Sequence, residues 1–335
     1  MRRFFRVALN ILSVFMILTA CSKDDRSTSD KIDVHVLFSP EGFCNMSYSD
    51  IILKSIEKSS QKYGFGYSFY VPDNVEKGMG IYNSWLEKET ENNCRSIFIF
   101  ASAVYGEPLA QAQHPTPDTE KEILLFETEE ELPYAYTFAI SYYGASYFIS
   151  SYFLKIKNFD FKIIAANPYT SGLNYVYDGF YDAINDNSSG TVEVYTIGSN
   201  ADEGFDNQIE AYIGCKILSQ EDEDRLNIYI PYAGVSNMGV YRFSEANNYP
   251  SIGVDAIDPN YYTFILMSMN KRVDLALDDF FSLWTKGEEV PRHRLYTLES
   301  GRAEVIKSSY ISDYDNLEEL ELKAISKENE YFGLK

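Results

Sequence analysis

Histidine is nearly absent from this 335-residue chain, which has only His35, His114 and His293, in unrelated contexts. No Gly-x-Ser-x-Gly elbow, phosphate-cradling loop or metal-ligand spacing accompanies them. The commonest hydrolase, phosphoryl-transfer and metalloenzyme chemistries therefore lack their residues. His114-Pro-Thr-Pro-Asp118 would need distant partners to hold a metal, and carboxylate pairs are too common in so acidic a chain to mark a glycosidase. No catalytic residue, metal or cofactor is expected. Cysteine is scarce too: Cys21, Cys44, Cys94 and Cys215, with no Cys-x-x-Cys spacing. Cys44 follows the first expected strand and Cys94 precedes the third. In parallel strands that places them at opposite ends of one sheet, about 17 Å or more apart, too far for a disulfide. Buried thiols are the expectation.

Basic residues are also short, with 29 Lys and Arg against 50 Asp and Glu. Three of the arginines, Arg2, Arg3 and Arg6, precede an apolar run from Val7 to Leu18, and Leu18-Thr-Ala20 leads into Cys21. That is the pattern of a bacterial lipoprotein signal peptide, too short to stay as a spanning helix and ending at a lipid-acceptor cysteine. Residues 1–20 would be removed, Cys21 lipidated, and 21–30 would form a polar tether. The chain is then expected in the bacterial cell envelope, touching the membrane through its lipid anchor only. Without its leader the chain keeps 26 basic residues against 50 acidic ones, a formal charge of −24. Such a surface repels nucleic acid and anionic headgroups, and neither is an expected partner.

The remaining 315 residues exceed what one hydrophobic core usually supports. From Asp33 onward strands and helices alternate: strand 34–38, helix 48–63, strand 67–71, helix 80–88 and strand 96–100, continued by 123–126 and 135–138. A second run follows, with helices at 143–156, 173–184 and 207–218 and strands at 161–166, 191–197, 226–230 and 251–254. Alternation of this kind calls for an α/β fold of two similar lobes, each a parallel sheet with helices on both faces. Residues 312–327 read as a terminal helix with no function attached.

The stretch from Ile228 to Asp274 reads as three strand ends in a row. They are Ile228-Tyr-Ile-Pro-Tyr-Ala-Gly-Val-Ser-Asn-Met-Gly239, Ile252-Gly-Val-Asp255 and Met267-Ser-Met-Asn-Lys-Arg-Val-Asp274. Groups just past the carboxyl ends of parallel strands face the ligand crevice, which makes Gly234, Asp255 and Lys271 candidates for one pocket. An unpaired carboxylate at such a tip can accept from two sugar hydroxyls, although it can also cap the next turn. A glycine lets backbone approach a ligand closely.

These blocks resemble the basic membrane protein family, the lipoprotein substrate-binding proteins of nucleoside importers. Asn45-Met-Ser-Tyr-Ser49 stands where the family has an Asp-x-Ser-Phe-Asn loop, and Tyr142-Tyr-Gly-Ala-Ser-Tyr147 where it has an acidic-Gly-Ala-Tyr-Leu helix start. The resemblance implies a type I periplasmic binding protein arrangement with three crossings. The first lobe would hold 31–138 plus 267–291, and the second 139–266 plus 292–335. It implies a purine nucleoside held in the interlobe cleft and passed to an ABC permease. Tyr48 and Phe205 would stack on the base, while Asp255 and Lys271 would take the ribose. Glu127 falls where the family has an aspartate, yet it also opens an acidic run that reads as a solvated loop. Asn45 and Ser49 depart from the family aspartate and asparagine, and Asn45 offers a donor as well as an acceptor, which leaves base preference open. The rival expectation is a surface lipoprotein using the same fold for sensing or adhesion with a different small ligand.

Overall fold

In strand β3 (Cys94–Phe100) the run from Ile97 to Phe100 is apolar at every position, and each side chain is fully buried. A strand tolerates that only when helices cover both faces of its sheet. The computed structural model describes residues 31–43, 48–89, 94–116, 120–219, 226–255, 257–311 and 317–334. Cys21, the leader and the tether lie outside those residues, as do Cys44 and Asn45.

The chain runs β1 (Lys31–Leu37), α1 (Tyr48–Tyr63), β2 (Gly66–Tyr70), α2 (Val75–Glu87), β3, α3 (Gly106–Ala110), β4 (Lys121–Phe126) and β5 (Tyr136–Ile140). It continues through α4 (Tyr143–Ile156), β6 (Phe159–Ala165), α5 (Leu173–Asn187), β7 (Thr191–Thr196), α6 (Gln208–Leu218), β8 (Leu226–Tyr232), α7 (Asn237–Asn247) and β9 (Ser251–Val254). Last come β10 (Ile265–Lys271), α8 (Val273–Trp284), β11 (His293–Tyr296), β12 (Ala303–Lys307) and α9 (Leu317–Tyr331). Two six-stranded sheets result, in the orders β11-β5-β4-β3-β1-β2 and β12-β10-β9-β8-β6-β7. Every pairing is parallel except β10 with β12. The two orders match strand for strand, so each element of one sheet has a counterpart in the other.

Sheet membership moves two of the three expected crossings. Ile265–Lys271 pairs with β9 and β12, so the chain leaves the second sheet after Lys271 and not near Met267. His293–Tyr296 pairs with Thr137–Ile140 of the first sheet, so the last crossing lies between Tyr296 and Ala303 and not near Pro291. Helix α8 goes with the first lobe: Asp274 and Asp278 bond Lys58 and Lys62 of α1 at 2.7 and 2.5 Å. Local pattern missed β11 because His293-Arg-Leu-Tyr is four residues long and mostly polar; backbone pairing alone makes it a strand. Helix α2 starts at Val75, earlier than the apolar pattern suggests, because Asn74 accepts from the Lys77 amide at 2.8 Å and caps it.

Helix α4 follows the first crossing and is buried from Tyr143 to Leu154. A Cβ on Gly179 of α5 would lie 2.4 Å from the Tyr143 carbonyl, so glycine there permits the close α4–α5 approach. The terminal helix α9 also reaches this hinge. Its Glu328 is 0% exposed and accepts from the Gly144 amide at 3.1 Å and the Leu298 amide at 2.7 Å. One carboxylate thus ties the first crossing to the third. Glu328→Gln keeps the shape but replaces one charged acceptor by an amide donor facing an N–H, and should cost about 1–2 kcal/mol. Urea unfolding, with hydrogen exchange at Gly144 and Leu298, checks this; unchanged exchange at both amides would count against the tie.

Candidate functional site

A cavity of about 430 Å³ opens where the carboxyl ends of both sheets meet. Its lining comes from the segments after β1, β2, β3 and β4 in the first sheet, from those after β6, β7, β8 and β9 in the second, and from Lys271 at the end of β10. This is where an open parallel sheet places its ligand, and the size suits a small organic molecule.

Tyr48 opens α1 and Glu127 follows β4. Their side chains meet, the Tyr48 hydroxyl donating to Glu127 Oε1 at 2.5 Å. The other carboxylate oxygen, Oε2, takes the Lys271 ammonium at 2.5 Å, and both members of that pair are at least nine-tenths buried. Burial alone would lower the Lys271 pKa. The carboxylates of Glu127 and Asp255, with the Tyr232 phenol, overcome it and hold the ammonium above its ordinary range. Lys271 Nζ also lies 5.2 Å from the Tyr48 ring centroid and 5.1 Å from that of Tyr142. Tyr48 therefore presents one ring face to the ammonium and carries its phenol proton firmly, its pKa raised by burial and by Glu127. The Tyr232 phenol is pushed up to about 12, by burial first and by the neighbouring carboxylates, against the pull of Lys271.

Asp255 follows β9 as Glu127 follows β4, and those two strands hold the same rank in their sheets. The two residues also share a backbone conformation rare outside glycine, with φ of 57° at Glu127 and 58° at Asp255. Left-handed backbone at two matched, carboxylate-bearing strand tips is strain concentrated at one site. Burial raises the Asp255 pKa, while Lys271 and a hydrogen bond from Tyr142 pull it down.

Phe205 sits in the loop before α6 and lines the cavity opposite sheet one's segments. Ser236 fastens that loop: its amide donates to the Phe205 carbonyl at 3.0 Å, and its hydroxyl to the Gly204 carbonyl at 2.7 Å. Gly234 has φ of 57°, and a Cβ on it would lie 3.4 Å from the Phe205 ring. Gly234 thus forms a left-handed turn packed on Phe205 and lines the cavity, where it was expected to let backbone approach a ligand.

Of the eight expected binding residues, Tyr48, Ser49, Glu127, Phe205, Gly234, Asp255 and Lys271 all line this cavity, and Asn45 lies outside the described residues. Ser49 is buried in the first turn of α1. The pattern did not single out Tyr169, Ser171 or Tyr232. Ser171 bridges the lobes, its hydroxyl donating to the Glu127 carbonyl at 2.7 Å, and Tyr232 donates to the Ser171 carbonyl at 2.9 Å. Nothing in their local sequence marks them, and Ser171 and Tyr232 act through partners far along the chain. Among the described residues, no group of three or more His, Cys, Asp or Glu is placed to hold a metal.

No family model matches the sequence, and no curated protein matches it. Solved structures do. A solute-binding protein of an ABC transporter system from Aeropyrum pernix aligns with a TM-score of 0.66 at 14% identity, over 89% of this chain and 86% of that one. A transcriptional activator of the comK gene from Bacillus halodurans aligns at 0.63 and 14% identity, over 88% and 96%. An ABC transporter solute-binding protein from Agrobacterium vitis, with bound allitol, aligns at 0.60 and 8% identity, over 88% and 100%. Together with the two matched sheets and the cavity at their carboxyl ends, these alignments give the chain the two-lobed fold of periplasmic binding proteins.

Proposed function

We propose that this chain is a lipid-anchored substrate-binding protein of the bacterial cell envelope that captures a nucleoside, a purine one, and delivers it to an ABC permease. The observation that carries the reading is the convergence of Tyr48, Phe205, Asp255 and Lys271 on one cavity although they come from four separate segments of the chain. Aromatic faces suit a flat base, each stack contributing about 1–3 kcal/mol by analogy with nucleic-acid binders. A strand-tip carboxylate suits a pair of sugar hydroxyls, with charge-assisted bonds of about 1.5–3 kcal/mol each. Closure of the two lobes would bury the ligand, and an affinity in the micromolar range or tighter is expected. Solute-binding proteins among the structural neighbours support the transport role. The neighbour described as a transcriptional activator supports the second reading, in which the same fold serves sensing or adhesion with a different ligand.

The charge on the cavity wall sharpens the test. Among the described lining residues Glu41, Glu107, Glu127, Asp202 and Asp255 are acidic and Lys271 alone is basic, already paired with Glu127. A phosphate would enter a field of its own sign. Thermal-shift measurements should show stabilisation by guanosine, adenosine or inosine, about 2.7 kcal/mol at a hundred times Kd. The matching 5′-monophosphates should give little at the same concentration. A shift with sugars or peptides and none with any nucleoside would overturn the ligand class.

A further inference from the structure

Tyr142 stands in the first crossing, between β5 and α4, and is 1% exposed. It does not line the cavity, yet its hydroxyl lies 3.0 Å from Asp255 Oδ1 and 2.8 Å from the Met269 carbonyl oxygen. The same carbonyl receives the Asp255 backbone amide at 2.8 Å. Asp255 is thus held from two sides: its backbone N–H donates to the Met269 carbonyl, and the Tyr142 hydroxyl, whose one proton has that carbonyl and the Asp255 carboxylate as acceptors, closes the ring. The residue so held has φ of 58°, a left-handed conformation uncommon outside glycine that aspartate tolerates better than most residues.

We propose that Tyr142 is the positioning residue of this site, fixing Asp255 so that its second carboxylate oxygen faces the cavity and coupling that oxygen to the hinge. The role in ligand recognition rests on the reading of Asp255 as an acceptor of ligand hydroxyls; the fixing of Asp255 does not. Asp255 Oδ1 is committed to the crossing, and Oδ2 remains for the ligand. Since Met269 belongs to β10, the strand that leads into the second crossing, one phenol joins two of the three chain passages between the lobes. Lobe movement and the aim of Asp255 then change together.

Other charged or titratable groups reach Asp255 from several elements. They are Lys271 of β10, Glu127 after β4, Tyr48 of α1, Tyr232 of β8 and Tyr241 of α7. The phenols keep their protons across the acid range because burial and the neighbouring carboxylates raise them, and Lys271 keeps its charge because those carboxylates outweigh the lowering effect of burial. Asp255 is therefore the group whose titration Tyr142 controls directly. Its pKa is raised by burial and lowered by the Tyr142 bond, so loss of the hydroxyl must move it further up.

The test is Tyr142→Phe, which keeps the ring and leaves the Met269 carbonyl its Asp255 amide. Carboxyl-carbon NMR of Asp255 in the ligand-free protein should show its titration moved upward by about half a pH unit or more. Guanosine and adenosine binding, followed by calorimetry from pH 4 to 8, should weaken about five- to tenfold at neutral pH. Its acid limb should move up by the same interval. A purely structural role would lower Tm without moving the titration, and an Asp255 that titrates identically in both proteins overturns the proposal. If wild type binds no nucleoside at all, the ligand assignment fails, while the NMR comparison still decides the role of Tyr142.

Discussion

Replacing Lys271 by methionine should lower the unfolding free energy by about 3–5 kcal/mol at neutral pH and abolish measurable ligand binding. The size of the effect follows from what is left behind. Methionine fills the space of the lysine stem, so little cavity is created. The ammonium, however, lies 2.5 Å from Glu127 and is 7% exposed as a residue, far from the screening that makes surface pairs weak. Its removal leaves two carboxylates, Glu127 and Asp255, from opposite lobes and without the cation that both face.

The pH dependence has a definite sign. Burial already raises the Asp255 pKa and Lys271 opposes that rise; without the ammonium the folded-state value climbs further above the unfolded one. A carboxyl raised in this way contributes stability fully below its unfolded pKa and loses it as pH rises through the folded pKa. The deficit of Lys271→Met relative to wild type should therefore be largest at neutral pH and narrow toward about pH 4. Urea denaturation of both proteins between pH 4 and 8 measures it. A deficit that stays constant over that range, or one below about 1 kcal/mol at pH 7, would show that the pair is not the electrostatic centre of the cleft.

The strand tips were legible in the sequence because parallel strands announce themselves. Runs such as Ile228-Tyr-Ile and Ile252-Gly-Val are apolar on both faces, and the residue that breaks each run must sit at the crevice. Gly234, Asp255 and Lys271 follow from that alone. Glu127 was harder. It opens the run Glu127-Thr-Glu-Glu-Glu131, which reads as solvated, and Glu129, Glu130 and Glu131 are indeed exposed while Glu127 is buried. Only the lysine 144 residues further on distinguishes it. Tyr142 and Glu328 were not legible, since their roles lie in hydrogen bonds to residues 113 and 184 positions away, over which local pattern carries no information. The misplaced crossings share this cause. A lobe boundary is set by which sheet a strand pairs with, and pairing is a property of distant backbone.

Gly204→Ala is expected to be the most damaging single methyl group that could be added near the cleft. Glycine occupies a left-handed position there, φ 85°, and a Cβ would lie 2.0 Å from the Ala166 carbonyl oxygen and 2.7 Å from its carbon. Both obstacles are backbone, and the Ala166 amide is itself tied to the Tyr232 carbonyl at 3.1 Å, so neither side can yield through a rotamer change. The conformational penalty of about 1–3 kcal/mol therefore adds to a steric one, and a loss of at least about 4 kcal/mol is expected. The protein would relieve the clash by moving the 204–207 loop. That loop carries Phe205, and its fastening to Ser236 depends on the Gly204 and Phe205 carbonyls staying where they are. Ligand affinity should therefore fall by more than tenfold in whatever fraction remains folded, which calorimetry on the refolded, size-selected protein measures separately from Tm. Ser236→Ala serves as the graded control. It removes one hydroxyl from the same loop without a clash, and should give a smaller loss, about 1–2 kcal/mol, in the same direction. If Gly204→Ala unfolds the protein but Ser236→Ala leaves affinity untouched, Phe205 is a packing residue of the second lobe and the stacking face of the cleft must be sought elsewhere.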